Sequence, residues 1–118
     1  MKRRNQQGFT FIETLSSMFI LTVVLLAVGS LVYSTMRSTT SSKEMTVATT
    51  LMQDKMEGLR NTSLSSLNSG NDTVHLGNID YTRQWAVAAS GNIRRITVDV
   101  NWNSRGSHAV TMTTFRGD

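Results

Sequence analysis

The chain contains no cysteine and no proline, only two histidines, and aromatic residues at 7% of its 118 positions. Each scarcity removes a class of explanation. Without cysteine there are no disulfide staples, no thiol nucleophile and no thiolate zinc site. His75 and His108 are far apart in sequence, so a metal site would lack any recognisable ligand spacing. Without proline a long helix lacks its usual cause of a sharp bend. No nucleophile, base and orienting acid occur at a recognisable spacing, which disfavours an enzyme and leaves no cofactor to expect.

What is present is an uneven distribution of charge. Twelve basic and eight acidic side chains give a formal net charge of +4. Lys2, Arg3 and Arg4 stand at the very start, and no acid appears before Glu13. From Phe9 to Val32 the only charged residue is Glu13. As a helix that run would be ~36 Å long, enough to cross a hydrocarbon core of ~30 Å. The basic cluster ahead of it predicts a cytoplasmic amino terminus and a carboxy-terminal part across the membrane. Roughly eighty residues then remain for a water-soluble part, which needs packing on the helix or on other copies of the chain.

A secretory signal peptide also begins in this way, and Ala27-Val28-Gly29 offers small residues for a signal peptidase. Two features oppose that reading. The apolar run continues past the cut, and a carboxylate inside a membrane segment costs several kcal/mol unless it has a partner. The segment Gly8-Phe9-Thr10-Phe11-Ile12-Glu13 resembles the processing site of type III signal peptides, found in type IV pilins and type II secretion pseudopilins. The resemblance implies a basic leader, residues 1–8, cut between Gly8 and Phe9 by a prepilin peptidase that also methylates the new amino terminus at Phe9. Glu13 falls fifth in the mature chain, the family's glutamate position. One helical turn from the new amine, its carboxylate can pair with that charge. The family resemblance implies pairing with the adjacent subunit, which would set the axial register of helices in a filament. Loss of the leader removes three of the twelve basic side chains and leaves nine against eight acidic ones.

Beyond Val32, Met45, Ala48, Met52, Lys55 with Met56, and Leu59 recur at helical spacing and form one apolar stripe, with Leu51 beside it. Lys43, Thr46, Thr50, Asp54 and Glu57 fall on the opposite side. Asn61 and the serine-rich stretch after it end the pattern. The soft region is Ser34–Ser42, where hydroxyls compete for backbone groups. Ser41 and Glu44 have capping-box spacing, so a second helix could start there. Gly29-Ser30 is another flexible step. The division is therefore leader 1–8, membrane or filament-core helix 9–32, amphipathic helix 33–61 and sheet 62–118.

Period-two alternation predicts three strands: Tyr81, Arg83, Trp85, Val87 and Ala89; Ile96, Val98, Val100 and Trp102; and Val110, Met112 and Thr114. Thr73–Leu76 offers a fourth, joined through Gly77-Asn78. Short connections imply an antiparallel meander, one face of which the helical stripe must cover. The fold class is α+β, a long amino-terminal helix packed on a small antiparallel sheet of three to four strands, and it resembles the pilin fold. Trp85 and Trp102 are expected in that packing, together with Leu51, Met52, Met56 and Leu59, and not as a carbohydrate platform. Arg83, Arg94, Arg95, Arg105 and Arg116 are interspersed with Asp80, Asp99 and Asp118, which reads as a solvated sheet face, so no nucleic acid is expected. His75 and His108 read as surface residues. Phe9, Phe11, Phe19 and Tyr33 read as membrane and bundle packing and not as an electron path.

The stretch Ala48 to Arg60 and the strand Ile96 to Trp102 resemble minor pilins of the pilus-modification (V) type and I-type minor pseudopilins. That resemblance implies a non-enzymatic subunit that primes or caps a filament. Its partners would be the prepilin peptidase and methyltransferase, other pilin or pseudopilin subunits, the inner-membrane assembly platform, and the lipid bilayer before assembly. The chain would sit in the bacterial inner membrane with its carboxy-terminal part periplasmic, and later in a periplasmic or extracellular filament. The alternatives are a major pilin and, from a different class, a single-pass membrane-anchored binding domain.

Overall fold

The computed structural model describes residues 10–117. The order of elements is α1 (Phe11–Asn61), a short 3-10 turn (Leu64–Ser66), β1 (Gly70–Leu76), β2 (Ile79–Ser90), β3 (Ile93–Asn103) and β4 (Ser107–Gly117). The chain divides into two compact units, Met1–Thr40 and Ser41–Asp118.

In the first unit, described from Thr10, every residue is exposed and the apolar side chains lie all around α1. A helix of that kind has no polar face to turn toward water and belongs in lipid or among other helices. Its hydroxyl residues do not break it. Thr14, Ser16, Thr22, Thr35, Thr39 and Thr40 each donate to the carbonyl four residues earlier, and Ser30 to the carbonyl of Ala27.

In the second unit α1 buries Ala48, Met52, Met56 and Leu59 and exposes Lys43, Thr46, Thr50, Asp54 and Glu57. Met45, expected in the stripe, is 48% exposed. It lies a turn before the sheet's cover begins, and Val47 and Leu51 flank the packed positions instead. No second helix begins at Ser41. Helix α1 continues through that position, and the Glu44 carboxylate accepts a hydrogen bond from the Ser104 hydroxyl at 2.8 Å. The helix ends where Thr62 turns back on it, with Thr62 Oγ1 donating to the Gly58 carbonyl at 2.9 Å. Buried Leu67 then ties the connecting loop to the core.

The four strands pair antiparallel in the order β1-β2-β3-β4. Gly77 (φ 63°) and Gly91 (φ 62°) each stand first in a two-residue connection, where a left-handed backbone is needed to return the chain as a type II′ hairpin. Alternation is most complete on β3, whose Ile96, Val98, Val100 and Trp102 are all buried. Tyr81 joins them from β2, and Val87, Val110 and Met112 pack against the cluster from the flanks. Trp102 is 4% exposed, whereas Trp85 is half-buried near the β1 edge. There Gly70 is its register partner, and a Cβ on Gly70 would stand 2.7 Å from the Trp85 ring. Ala89, counted with the inward face in sequence, is exposed because the helix no longer covers that end of β2.

Truncating Met56 to Ala should remove buried contacts on both helix and sheet and lower stability by about 2–5 kcal/mol. Glu57→Ala, on the exposed side, should change it by less than about 0.5 kcal/mol. Denaturant unfolding of the detergent-solubilised chain, followed by tryptophan fluorescence, checks both values.

Candidate functional site

The start of α1 is built from two polar residues in an otherwise apolar stretch. Thr10 Oγ1 accepts a hydrogen bond from the Glu13 backbone N–H at 3.3 Å, and the Thr10 carbonyl accepts from the Thr14 N–H at 3.1 Å. Thr10 therefore caps the helix, with Glu13 three residues on, the Thr-x-x-Glu spacing of a capping box. The Glu13 carboxylate lies in the first turn, at the positive end of the helix dipole. Sequence reasoning read Glu13 only as a partner for a terminal amine and missed this second role, although the Thr10–Glu13 spacing displays it. The leader charges Lys2, Arg3 and Arg4 and the cleavage pair Gly8 and Phe9 lie outside the described residues.

Just beyond this polar start the helix surface is open and apolar, with Phe11 79%, Phe19 71% and Leu26 71% exposed. Helix α1 is long and apolar enough to cross a membrane. An anionic group at the head of such a helix is stable only beside a cation or at the lipid–water boundary, so the geometry suits a helix whose amino end meets a positive charge.

Residues 3–29 match the family model for the prokaryotic N-terminal methylation motif. The chain carries the type IV pilin signal. The matched stretch includes Arg3, Arg4, Gly8, Phe9 and Glu13 and supports membership of the pilin and pseudopilin family. For a pilin precursor the motif implies processing by prepilin peptidase and assembly with other pilins, and with its apolar helix it fits membrane anchoring. No curated protein and no solved structure gives a significant match to the chain.

The matched motif ends well before the second unit, whose polar features come from its own packing. Arg83 was expected on a solvated face, yet its side chain is only 12% exposed. Strand alternation places it with Tyr81 and Trp85 on the face toward the helix. Its Nε and Nη2 each bond one oxygen of Asp72 at 2.6 Å, a two-pronged ion pair. Lys55 approaches the same carboxylate at 3.4 Å and lies 3.6 Å from the centroid of the Trp85 ring. Asp54 completes the set, 3.7 Å from Arg83 Nη1. The Arg83 hydrogen bond holds the Asp72 carboxyl below the usual carboxylate range, and the same bond raises Arg83. Burial, with the nearby Glu44 charge, raises the Tyr81 phenol.

His75 is exposed and pairs with Asp80. His108 is not a free surface residue: it is half-buried and stacks on Trp102 with ring centroids 5.4 Å apart. Among the described residues no group of three or more His, Asp or Glu side chains is placed to hold a metal ion. Of the residues named for core packing, Met52, Met56, Leu59 and Trp102 are buried, and Leu51 and Trp85 are half-buried against the same cluster.

The Asp72 contribution to stability has a definite pH sign. A carboxyl whose folded value is depressed below 3.8 stabilises the fold fully above the ordinary carboxylate range and loses that effect as pH falls through the lowered value. Asp72→Asn should therefore be less stable than the parent at neutral pH, because Arg83 and Lys55 lose their shared carboxylate. The gap should narrow as the pH drops through the acid range. Thermal unfolding across a pH series checks this; a gap that widens toward acid would contradict the assignment.

Proposed function

We propose that the chain is a prepilin: a structural subunit of a type IV pilus or a type II secretion pseudopilus, and a minor one that primes or caps assembly. The observation that carries the reading is that the methylation motif at residues 3–29 coincides with a helix apolar on every side. On this reading residues 1–8 are a cytoplasmic leader, cut after Gly8, and Phe9 becomes the methylated amino terminus. The apolar half of α1 rests in the inner membrane with the second unit in the periplasm, and then passes from lipid into a filament core. Glu13 keeps its cap at Thr10 while its carboxylate faces the terminal amine of an adjacent subunit. Each charge cancels the desolvation cost of the other, and a one-turn slip would strand both. The small, cysteine-free second unit and the resemblance of Ala48–Arg60 and Ile96–Trp102 to minor subunits favour the priming or capping role over that of a major pilin.

Intact-mass measurement of the mature chain should show loss of residues 1–8 and gain of one methyl group; an unprocessed terminus would instead favour a plain membrane-anchored domain. Gly8→Tyr should leave the leader attached. Glu13→Ala should still be cut but should drop out of sheared filaments or pseudopili, and normal incorporation would remove the pairing role. Abundance in those filaments, a trace fraction or the bulk, separates the minor subunit from the major one.

A further inference from the structure

Strands β1 and β4 are the two edges of the sheet, and their sequences treat that exposure differently. An edge strand presents unpaired N–H and C=O groups and is ordinarily blunted by a charge, a proline or a short length. β1 has seven residues and carries Asp72, held by Arg83 and Lys55. β4 has eleven residues and pairs only with β3 among the described residues. From Ser107 to Phe115 it contains no acid, lysine, arginine or proline, and Thr, Val and Phe along it favour extended chain. Its helix-facing Val110 and Met112 are only half-buried, whereas Val100 and Val98, their register partners on β3, are fully buried. Beside this edge lies a hollow of about 620 Å³ whose walls come from α1 and β4 alone, including Gln53, Met56, Glu57 and Arg60 on the helix and Met112 and Arg116 on the strand. A strand added to β4 would lie about 4.8 Å beyond it and turn every second side chain to the helix side, toward this hollow.

We propose that the free edge of β4 is a strand-addition site, where an extended, uncharged segment of a different filament subunit pairs with Ser107–Phe115 and sets alternate apolar side chains toward Met56 and Met112; the proposal rests on the filament reading above. Main-chain hydrogen bonds hold such a strand, and the hollow selects its side chains. Methionine adapts to apolar side chains of varied shape. Glu57 stands among the arginines of the hollow, so its rim offers no single sign of charge for a charged segment to match. A second copy fits poorly. β4 runs in the same sense as the part of α1 in its own unit: Ser104, just before the strand, bonds Glu44, and Arg116, near its end, bonds Thr62. Antiparallel pairing of β4 with the β4 of a copy would therefore reverse the copy's helix. The two chains would then enter the joined sheet from opposite sides, unlike chains anchored in one membrane. Parallel pairing would turn the copy's Val110 and Met112 to the outer face, beside Thr111 and Thr113. Pairing with the β1 of a copy would meet the charge of Asp72, which discourages strand addition.

The test places a photoreactive phenylalanine analogue in turn at Ala109, Thr111 and Thr113 of the full chain, in cells that assemble the filament, and maps the adducts by mass spectrometry. These side chains are exposed at alternate positions of β4, on the outer face of the sheet. The expected adducts fall in one uncharged segment of a different protein that itself has a processed, methylated amino terminus. They should shift along that segment by two residues for each step of two along β4, the register of paired strands. Ala109→Lys/Thr113→Lys should lower the adduct from position 111 severalfold, since lysines on an edge oppose strand pairing. Ala109→Lys alone, at an exposed side chain, should show a smaller loss in the same direction and guards against misfolding of the double variant. Adducts scattered without a common register, or formed with a second copy, lipid, nucleic acid or a charged segment, would overturn the proposal, as would no adduct or a yield indifferent to the lysines. Leader removal is read from the same sample. A processed chain without the expected adducts defeats strand addition alone, whereas an unprocessed chain defeats the filament reading and strand addition with it.

Discussion

Water cannot solvate the first half of α1. From Phe11 to Met36 large apolar side chains are exposed on every side of the helix, with no polar face to offset them. At ~25 cal/mol per Å² of apolar surface, leaving several such side chains in water costs many kcal/mol, which is comparable to the whole stability of a small domain. The segment must therefore live in lipid or against other apolar helices, and the charges around it follow from that. Basic residues collect ahead of it, the lone acid stands in its first turn, and charged side chains return from Arg37 onward.

The second unit solves a different problem with the same helix. It has no disulfide and only a modest apolar content, so it relies on one stripe of α1 and one face of a four-stranded meander. The central strand β3 supplies the driest positions, with Ile96, Val98 and Val100 fully buried. The edge strand β1 has little apolar surface to offer, and its attachment is reinforced by Asp72, which collects Arg83 from β2 and Lys55 from the helix. A charged residue on an edge strand also discourages unwanted pairing with other sheets, since it is costly to bury.

Much of this architecture is legible in the sequence because the signals are periodic. Three strands were plain from alternation, the fourth from a short run beside Gly77-Asn78, and the helix end from Asn61 and the serines after it. Pairwise chemistry was less legible. Arg83 shares the parity of Tyr81 and Trp85, yet its charge argues for solvent; register sets Asp72 opposite it, and Asp54 approaches from the helix. Ser41–Glu44 and Thr10–Glu13 share the spacing of a helix start, yet only the second begins a helix. What separates the two is what surrounds them: Thr39 and Thr40 bond back to carbonyls a turn earlier and α1 runs on through Ser41, which leaves the Glu44 carboxylate to accept from Ser104. His108 likewise takes its place on Trp102 from a cross-strand register that no short window contains. The methylation motif is legible for the opposite reason, since its signal is a strictly local run of residue types.

The hydroxyl groups along α1 have a further significance. A threonine that donates to the carbonyl one turn earlier takes its partner along wherever the helix goes. Its polarity is settled inside a single chain, so an exchange of lipid for protein neighbours neither strands a donor nor requires a new acceptor. At these positions the helix is chemically self-contained: a change of surroundings leaves each of these hydrogen bonds in place.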